Sequence, residues 1–229
     1  MQHQRNTLVF ICTLITALCL LGACATHQAK KIDTAGFLGD YSQLKEGDKE
    51  EAQLIYINPD ADIQSYTSIL MDPIRIYASK ENNMMNVSSE QQRKILNYAD
   101  AAVREKLAAD YMFVEEPGPG VMRLRIALTE AEGSRVVLDT VSTIVPIGLA
   151  LSGIQKLATG SCSFVGSAGV EAELQDSLTG TRLMAGVDRR MGGKITGKFD
   201  KFDKWRTVKN AVDYWTERLQ TRLTEQREK

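Results

Sequence analysis

Between residues 122 and 128 the chain alternates strictly: Met122, Leu124, Ile126 and Leu128 occupy one set of positions, Arg123, Arg125 and Ala127 the other. Successive side chains of an extended chain point to opposite faces, so this pattern predicts a strand with one face buried. The same period recurs at 169–174, and Arg182-Leu-Met-Ala-Gly-Val187 follows as the returning strand. Between these two, Asp176-Ser-Leu-Thr-Gly180-Thr181 predicts a hairpin turn, with Gly180 as the residue able to take a left-handed conformation. Residues 52–58 and 68–79 are rich in Ile, Leu and Tyr on either side of Asn58-Pro59-Asp60 and predict two more strands. Pro73 has no N–H to give to a ladder, so the second of these should carry a bulge or lie at an edge there.

Elsewhere the apolar period lengthens to three and four. Ser88, three residues ahead of Gln91, has the spacing of a capping box. Ile95, Ala99, Ala102, Val103 and Leu107 follow on one face, predicting a helix that ends near Tyr111 and packs on the sheet. Glu116-Pro-Gly-Pro-Gly120 then breaks the chain. A last helix is predicted from Trp205, Val208, Val212, Trp215, Leu219 and Leu223, a stripe suited to a core or, alternatively, to a partner interface. In residues 145–160, VPIGLALSGIQKLATG, Pro146 opens a short helix whose Ile147, Ala150, Leu151, Ile154 and Leu157 oppose Gly148, Ser152, Gln155 and Thr159. About 14 residues at roughly 1.5 Å each reach about 21 Å, short of the roughly 30 Å of bilayer hydrocarbon. That segment predicts a crossover helix laid on the sheet, with a membrane-interface or oligomer contact as the alternative. The expected fold is α+β: a single domain with an antiparallel or mixed sheet of about five strands, packed by two long helices and one short apolar helix.

The N-terminus follows a different logic. One basic residue, Arg5, precedes the uncharged apolar run 8–21, which has the layout of a secretory signal and is too short for a comfortable span. Leu21-Gly22-Ala23-Cys24 resembles the bacterial lipobox, in which cleavage falls between Ala23 and Cys24 and the Cys24 thiol carries diacylglycerol, with a further acyl chain such as palmitate on its amine. Several chains on one residue anchor far better than one. Ala25 stands where the sorting pattern would place Asp for inner-membrane retention, which points to the outer membrane with the domain facing the periplasm. The chain thus divides into a cleaved signal peptide (1–23), the lipidated cysteine with a flexible polar tether containing His27, Lys30 and Lys31 (24–36), and one α+β periplasmic domain (37–229).

Composition removes several classes of function. There are 28 Lys and Arg against 29 Asp and Glu, and loss of Arg5 with the leader moves the balance to about −2, so no basic excess suggests nucleic acid as a partner. Cys12 and Cys19 leave with the leader and Cys24 is lipidated, so Cys162 remains alone. It suits a small buried hydrophobe, or a cross-link between two chains, and no internal disulfide can form. Of two histidines, His3 lies in the leader and His27 in the tether. The folded part therefore lacks Ser-His-Asp and Cys-His catalysis and the commonest zinc ligand.

Three carboxylate groupings remain. Glu171 and Glu173, two apart, share one strand face, which is expected to be solvated, with acid–base catalysis as the sharper alternative. Asp60-Ala-Asp62-Ile-Gln64 begins like a calcium loop, but Ser65 and Met71 replace the Gly and Glu such a loop needs, so a capped turn after Pro59 is expected and no metal site. Asp188, Arg189 and Arg190 form a candidate polar cluster, read either as a binding site or as an ion pair anchoring the end of a strand. No residues form a catalytic constellation, and no cofactor is implied beyond the lipid on Cys24.

Taken in order, Gly36-Phe-Leu-Gly-Asp-Tyr-Ser-Gln-Leu44 after the lipobox, residues 121–129 after Pro-Gly-Pro-Gly, and Asp176-Ser-Leu-Thr-Gly180 running to Val187-Asp-Arg-Arg190 resemble the bacterial lipoprotein family designated domain of unknown function 3313. The resemblance covers nearly all of the mature chain. It implies a cell-envelope lipoprotein and supplies no reaction. The expected function is that of an outer-membrane-anchored, non-catalytic binding or structural module with an envelope protein partner. The alternative is an oligomeric channel or secretion-associated component using residues 145–160.

Overall fold

Nine strands form one mixed sheet in the computed structural model, which describes residues 27–28, 34–49, 51–77, 87–132, 166–192 and 205–228. They are β1 (His27–Gln28), β2 (Lys45–Glu46), β3 (Leu54–Ile57), β4 (Ser68–Met71), β5 (Arg75–Ile76), β6 (Met112–Val114), β7 (Val121–Glu132), β8 (Ser167–Asp176) and β9 (Arg182–Met191). The order across the sheet is β2-β3-β9-β8-β7-β4-β6, with β1 beside β9 and β5 beside β7. β4 runs parallel to β6 and β7, and β5 parallel to β7; the other pairs are antiparallel. The α+β class and mixed sheet are as expected, but the strand count of about five is corrected to nine. Strands of two to four residues carry too few positions to print an alternating pattern.

The long central strands form where the alternation is clearest, and β8–β9 is the expected hairpin. Residues 52–58 contribute Leu54–Ile57. Residues 68–79 divide at Pro73 into β4 and β5. Helix α1 (Ser89–Leu107) opens on Ser88, whose Oγ accepts from Gln91 N at 3.4 Å, and Ile95, Ala99, Val103 and Leu107 are buried. It ends at Leu107 rather than near Tyr111, and Met112–Val114 turns back into the sheet beside β4. Helix α2 (Arg206–Arg227) buries Val208, Ala211, Val212 and Leu223.

Both helices lie on one face of the sheet, where their apolar stripes meet Met122, Leu124, Leu128, Val170 and Leu174. The opposite face is covered by residues 35–44, a strap in which Leu38 packs with Ala185 and Val187 under Phe37, Tyr41 and Leu44. Residues assigned to a flexible tether therefore divide. His27 and Gln28 pair through the backbone with Met191 and Arg190, and residues 34–36 belong to the strap's entry. Backbone pairing needs no apolar side chain, which is why a polar segment can join a sheet. Cys24, Cys162, Lys30, Lys31 and residues 145–160 with their expected helix lie outside the described residues. Among the described residues no helix is long and apolar enough to cross a membrane.

Candidate functional site

An apolar pocket of about 140 Å³ lies between α2 and the sheet at the β3–β9 side. Its origin is in side-chain size: Ala52, Ala99, Ala172 and Gly186 stand where larger residues would fill the space under Val212, Trp215 and Leu219. The pocket is mainly apolar and partly open to solvent, and its space is of the size that accepts a group about as large as a benzene ring. Glu51 and Arg222 line it and pair with each other, and Arg222 also pairs with Glu225 at 2.6 Å.

Asp188 supplies a buried carboxylate to the pocket wall. Its Oδ2 accepts from Trp215 Nε1 at 2.7 Å and from Arg190 Nε at 2.8 Å, and Oδ1 accepts from Gln53 N at 3.3 Å. The Arg190 guanidinium lies 3.7 Å from the centre of the Tyr214 ring, whose negative π face stabilises a cation with few hydrogen-bond acceptors around it. Alternation along β9 sends Arg189 to the other face, where it forms a two-pronged pair with Glu130 at 2.7 and 2.8 Å. The three-residue cluster thus separates into an Asp188–Arg190 pair on the helix side and Arg189 on the strap side. Period two alone would have indicated that split; the tryptophan and Gln53 come from elements distant in sequence and left no local signal.

Glu171 and Glu173 overturn the expectation of a solvated strand face: they are 0% and 2% exposed. The strap covers them and uses them. Glu171 accepts from Ala35 N, from Phe37 N at 3.0 Å, from Leu38 N at 3.3 Å and from the Tyr41 hydroxyl at 2.6 Å. Glu173 pairs with Arg125 and, at 3.1 Å, with Arg182. Arg182 then donates to the carbonyl oxygens of Leu38 at 3.1 Å and Asp40 at 2.8 Å. One carboxylate therefore gathers strap N–H groups while one guanidinium gathers strap C=O groups, and little backbone polarity is left unpaired in that contact. Burial, and then the bond to Glu171, push the Tyr41 phenol well above its usual range.

The hairpin turn is fastened in the same manner. Asp176 Oδ1 accepts from Leu178 N at 3.1 Å and Thr179 N at 2.7 Å, and Oδ2 accepts from the Tyr66 hydroxyl at 2.9 Å. Gly180 has φ +73°. The backbone bond from Thr179 holds Asp176 below the usual carboxylate range, and burial followed by the Asp176 bond pushes Tyr66 up to about 12. In the segment that began like a calcium loop, Asp60 N donates to Asn58 Oδ1 at 3.0 Å, the capped turn expected after Pro59.

Glu171 and Glu173 face the strap while Asp188 faces the helices, so these three carboxylates do not converge. Among the described residues no group of three or more His, Cys, Asp or Glu is placed to hold a metal ion. Chemically, the Asp188 pocket can take an apolar group and present a charge-compensated polar wall to it.

Residues 33–219 match the family model described as "Protein of unknown function (DUF3313)". The chain is 28% identical over 204 residues to the "Uncharacterized lipoprotein YdcL" of Escherichia coli (strain K12), covering 87% of this chain and 90% of that protein. The same figures hold for YdcL of Escherichia coli O157:H7. Among solved structures the chain is similar to the PelC dodecamer from Paraburkholderia phytofirmans, at 13% identity, over 71% of this chain and 91% of that chain, with a TM-score of 0.37.

Proposed function

This chain belongs to the family described as "Protein of unknown function (DUF3313)", and on that premise we propose that it is a lipoprotein anchored through Cys24, held at the outer membrane facing the periplasm, whose domain is a non-catalytic binding module of the cell envelope. The lipoprotein description of the relatives supports the anchor. β1 begins three residues beyond Cys24, a reach of about 10 Å at most at 3.3–3.6 Å per residue, so the lipid would hold the sheet close to the bilayer.

The observation that carries the binding role is the apolar pocket under α2 with Asp188 in its wall, since concave apolar sites with few polar groups are where small molecules and partner side chains bind. The buried carboxylates Glu171, Glu173 and Asp188 are taken up by ion pairs and by backbone and side-chain donors, which supports a non-catalytic reading. The test is titration of the mature protein with an apolar fluorescent probe. One saturable site, lost in Gly186→Leu with the unfolding transition retained, is expected. Probe binding that is absent, or equal in that variant, would rule out the pocket.

A further inference from the structure

On the strap face, at the end of β7 remote from β1, lies a second and wholly different pocket: polar, about 240 Å³, and lined among the described residues by three arginines, Arg75, Arg123 and Arg125, and one carboxylate, Asp72. We propose that it is an oxyanion site that takes a phosphate group.

The backbone builds it. Met71 stands opposite Leu124 and Arg75 opposite Ala127, so three residues, 72 to 74, face two, 125 and 126. The extra residue is a bulge at Pro73, in accordance with the missing N–H. Ile69 and Met71 point into the core, and unbroken alternation would send Pro73 and Arg75 after them. The bulge reverses the faces. Ile74 and Ile76 enter the core instead, and Arg75 emerges beside Arg123 and Arg125. A bulge in this position therefore does two things: it keeps a guanidinium out of the core and it adds a third one to the pocket.

The charges are unevenly satisfied. Arg123 commits Nε and Nη2 to Asp72, at 2.9 and 3.0 Å, and retains the Nη1 hydrogens. Arg125 pairs with Glu173, lies 4.0 Å from the same Asp72, and covers the Phe37 ring at 5.0 Å. Arg75 is exposed and makes no hydrogen bond or ion pair among the described residues. The three cations have two carboxylate partners, Asp72 and Glu173, and Glu173 is shared with Arg182 as well, so positive charge is in excess here and a multiply charged anion is the group that offsets it. Guanidinium forks match phosphate oxygens in geometry, and the Gln175 amide at the pocket adds a neutral donor.

The phosphate could be carried by a soluble or wall-borne molecule or by a phospholipid headgroup, and one experiment separates these. The mature, non-acylated Cys24→Ser protein is titrated calorimetrically with inorganic phosphate and with pyrophosphate at low salt, and is floated with vesicles of phosphatidylglycerol and phosphatidylcholine. Each arm is repeated with Arg75→Gln and with Lys94→Gln, which removes the same charge from α1. We expect saturable one-to-one binding, weakened about tenfold by Arg75→Gln, the usual loss for one charge-assisted pair, and unchanged by Lys94→Gln. The melting temperature of Arg75→Gln should equal that of the parent, because Arg75 has no partner among the described residues to lose. Arg75-dependent phosphate binding without flotation assigns the site to a soluble or wall-borne phosphate; Arg75-dependent flotation without phosphate binding assigns it to a headgroup. Absence of saturable binding in both arms, or equal weakening by Lys94→Gln, overturns the proposal.

Discussion

Tyr41 donates a 2.6 Å hydrogen bond to the carboxylate of Glu171, 130 residues further along the chain, and that bond joins the strap to the middle of the sheet. Glu171 also receives three strap N–H groups, so a single buried side chain organises the contact between the N-terminal segment and the domain. Glu171→Ala should leave those donors without an acceptor under the strap and lower stability by about 3 kcal/mol, with Tyr41→Phe costing about 1 kcal/mol. Urea unfolding measures both. Hydrogen exchange should place the loss of protection in residues 35–44 first, and uniform loss across the sheet would argue against a local strap.

Alkaline pH tests the two half-buried phenols. Tyr66 is pushed up to about 12 from an ordinary value of 10.0, and Tyr41 is raised in the same direction. Above pH 10 the unfolded chain releases protons that the folded protein retains, so the stability these groups contribute is complete below about pH 10 and is lost above it, for Tyr66 as pH rises through about 12. Melting temperatures from pH 8 to 12 should fall in that window. Tyr41→Phe and Tyr66→Phe together should flatten the fall; an unchanged slope would exclude these phenols as its cause.

Asp188→Ala should be costly in a different way, because it leaves the Arg190 guanidinium buried without its carboxylate and Trp215 Nε1 without its acceptor. Breaking one side of a buried pair costs about 3–5 kcal/mol. Removing both partners in Asp188→Leu with Arg190→Met should recover a large part of that loss. Chemical denaturation of the single and double variants gives the coupling, and additive losses would show that the pair is not coupled.

At the hairpin, Gly180→Ala introduces a side chain at φ +73° with open space around it, so the cost is backbone strain alone, about 1 kcal/mol. Asp176→Ala removes the acceptor of Leu178 N, Thr179 N and the Tyr66 hydroxyl, and should cost about 2 kcal/mol. A loss for Gly180→Ala much above the first figure in denaturant unfolding would mean that space, not conformation, sets the requirement.

The motifs that carry the family resemblance have structural work in this chain. Gly36 to Leu44 is the strap, Asp176 to Gly180 is the fastened turn, and Asp188 with Arg190 ties β9 to α2. Legibility tracked length and locality. β7 and β8 were visible because six or seven consecutive residues repeat one period, β9 because the hairpin turn leads into it, and α1 because Ser88 and its stripe lie within one helix. β6 was not visible, since three residues cannot establish a period.

By itself the sequence determined the class of fold, the long elements, the hairpin turn, the break at Pro73 and the family, because each is written in neighbouring residues through periodicity, capping or a motif. Only the tertiary structure decided that Glu171 and Glu173 are buried, that Asp188 meets Trp215, and that Arg75 joins Arg123 and Arg125 on one face. The physical reason is common to all three. Alternation tells which residues share a face of a strand, but whether that face meets water, a helix or a strap depends on what the rest of the chain lays over it.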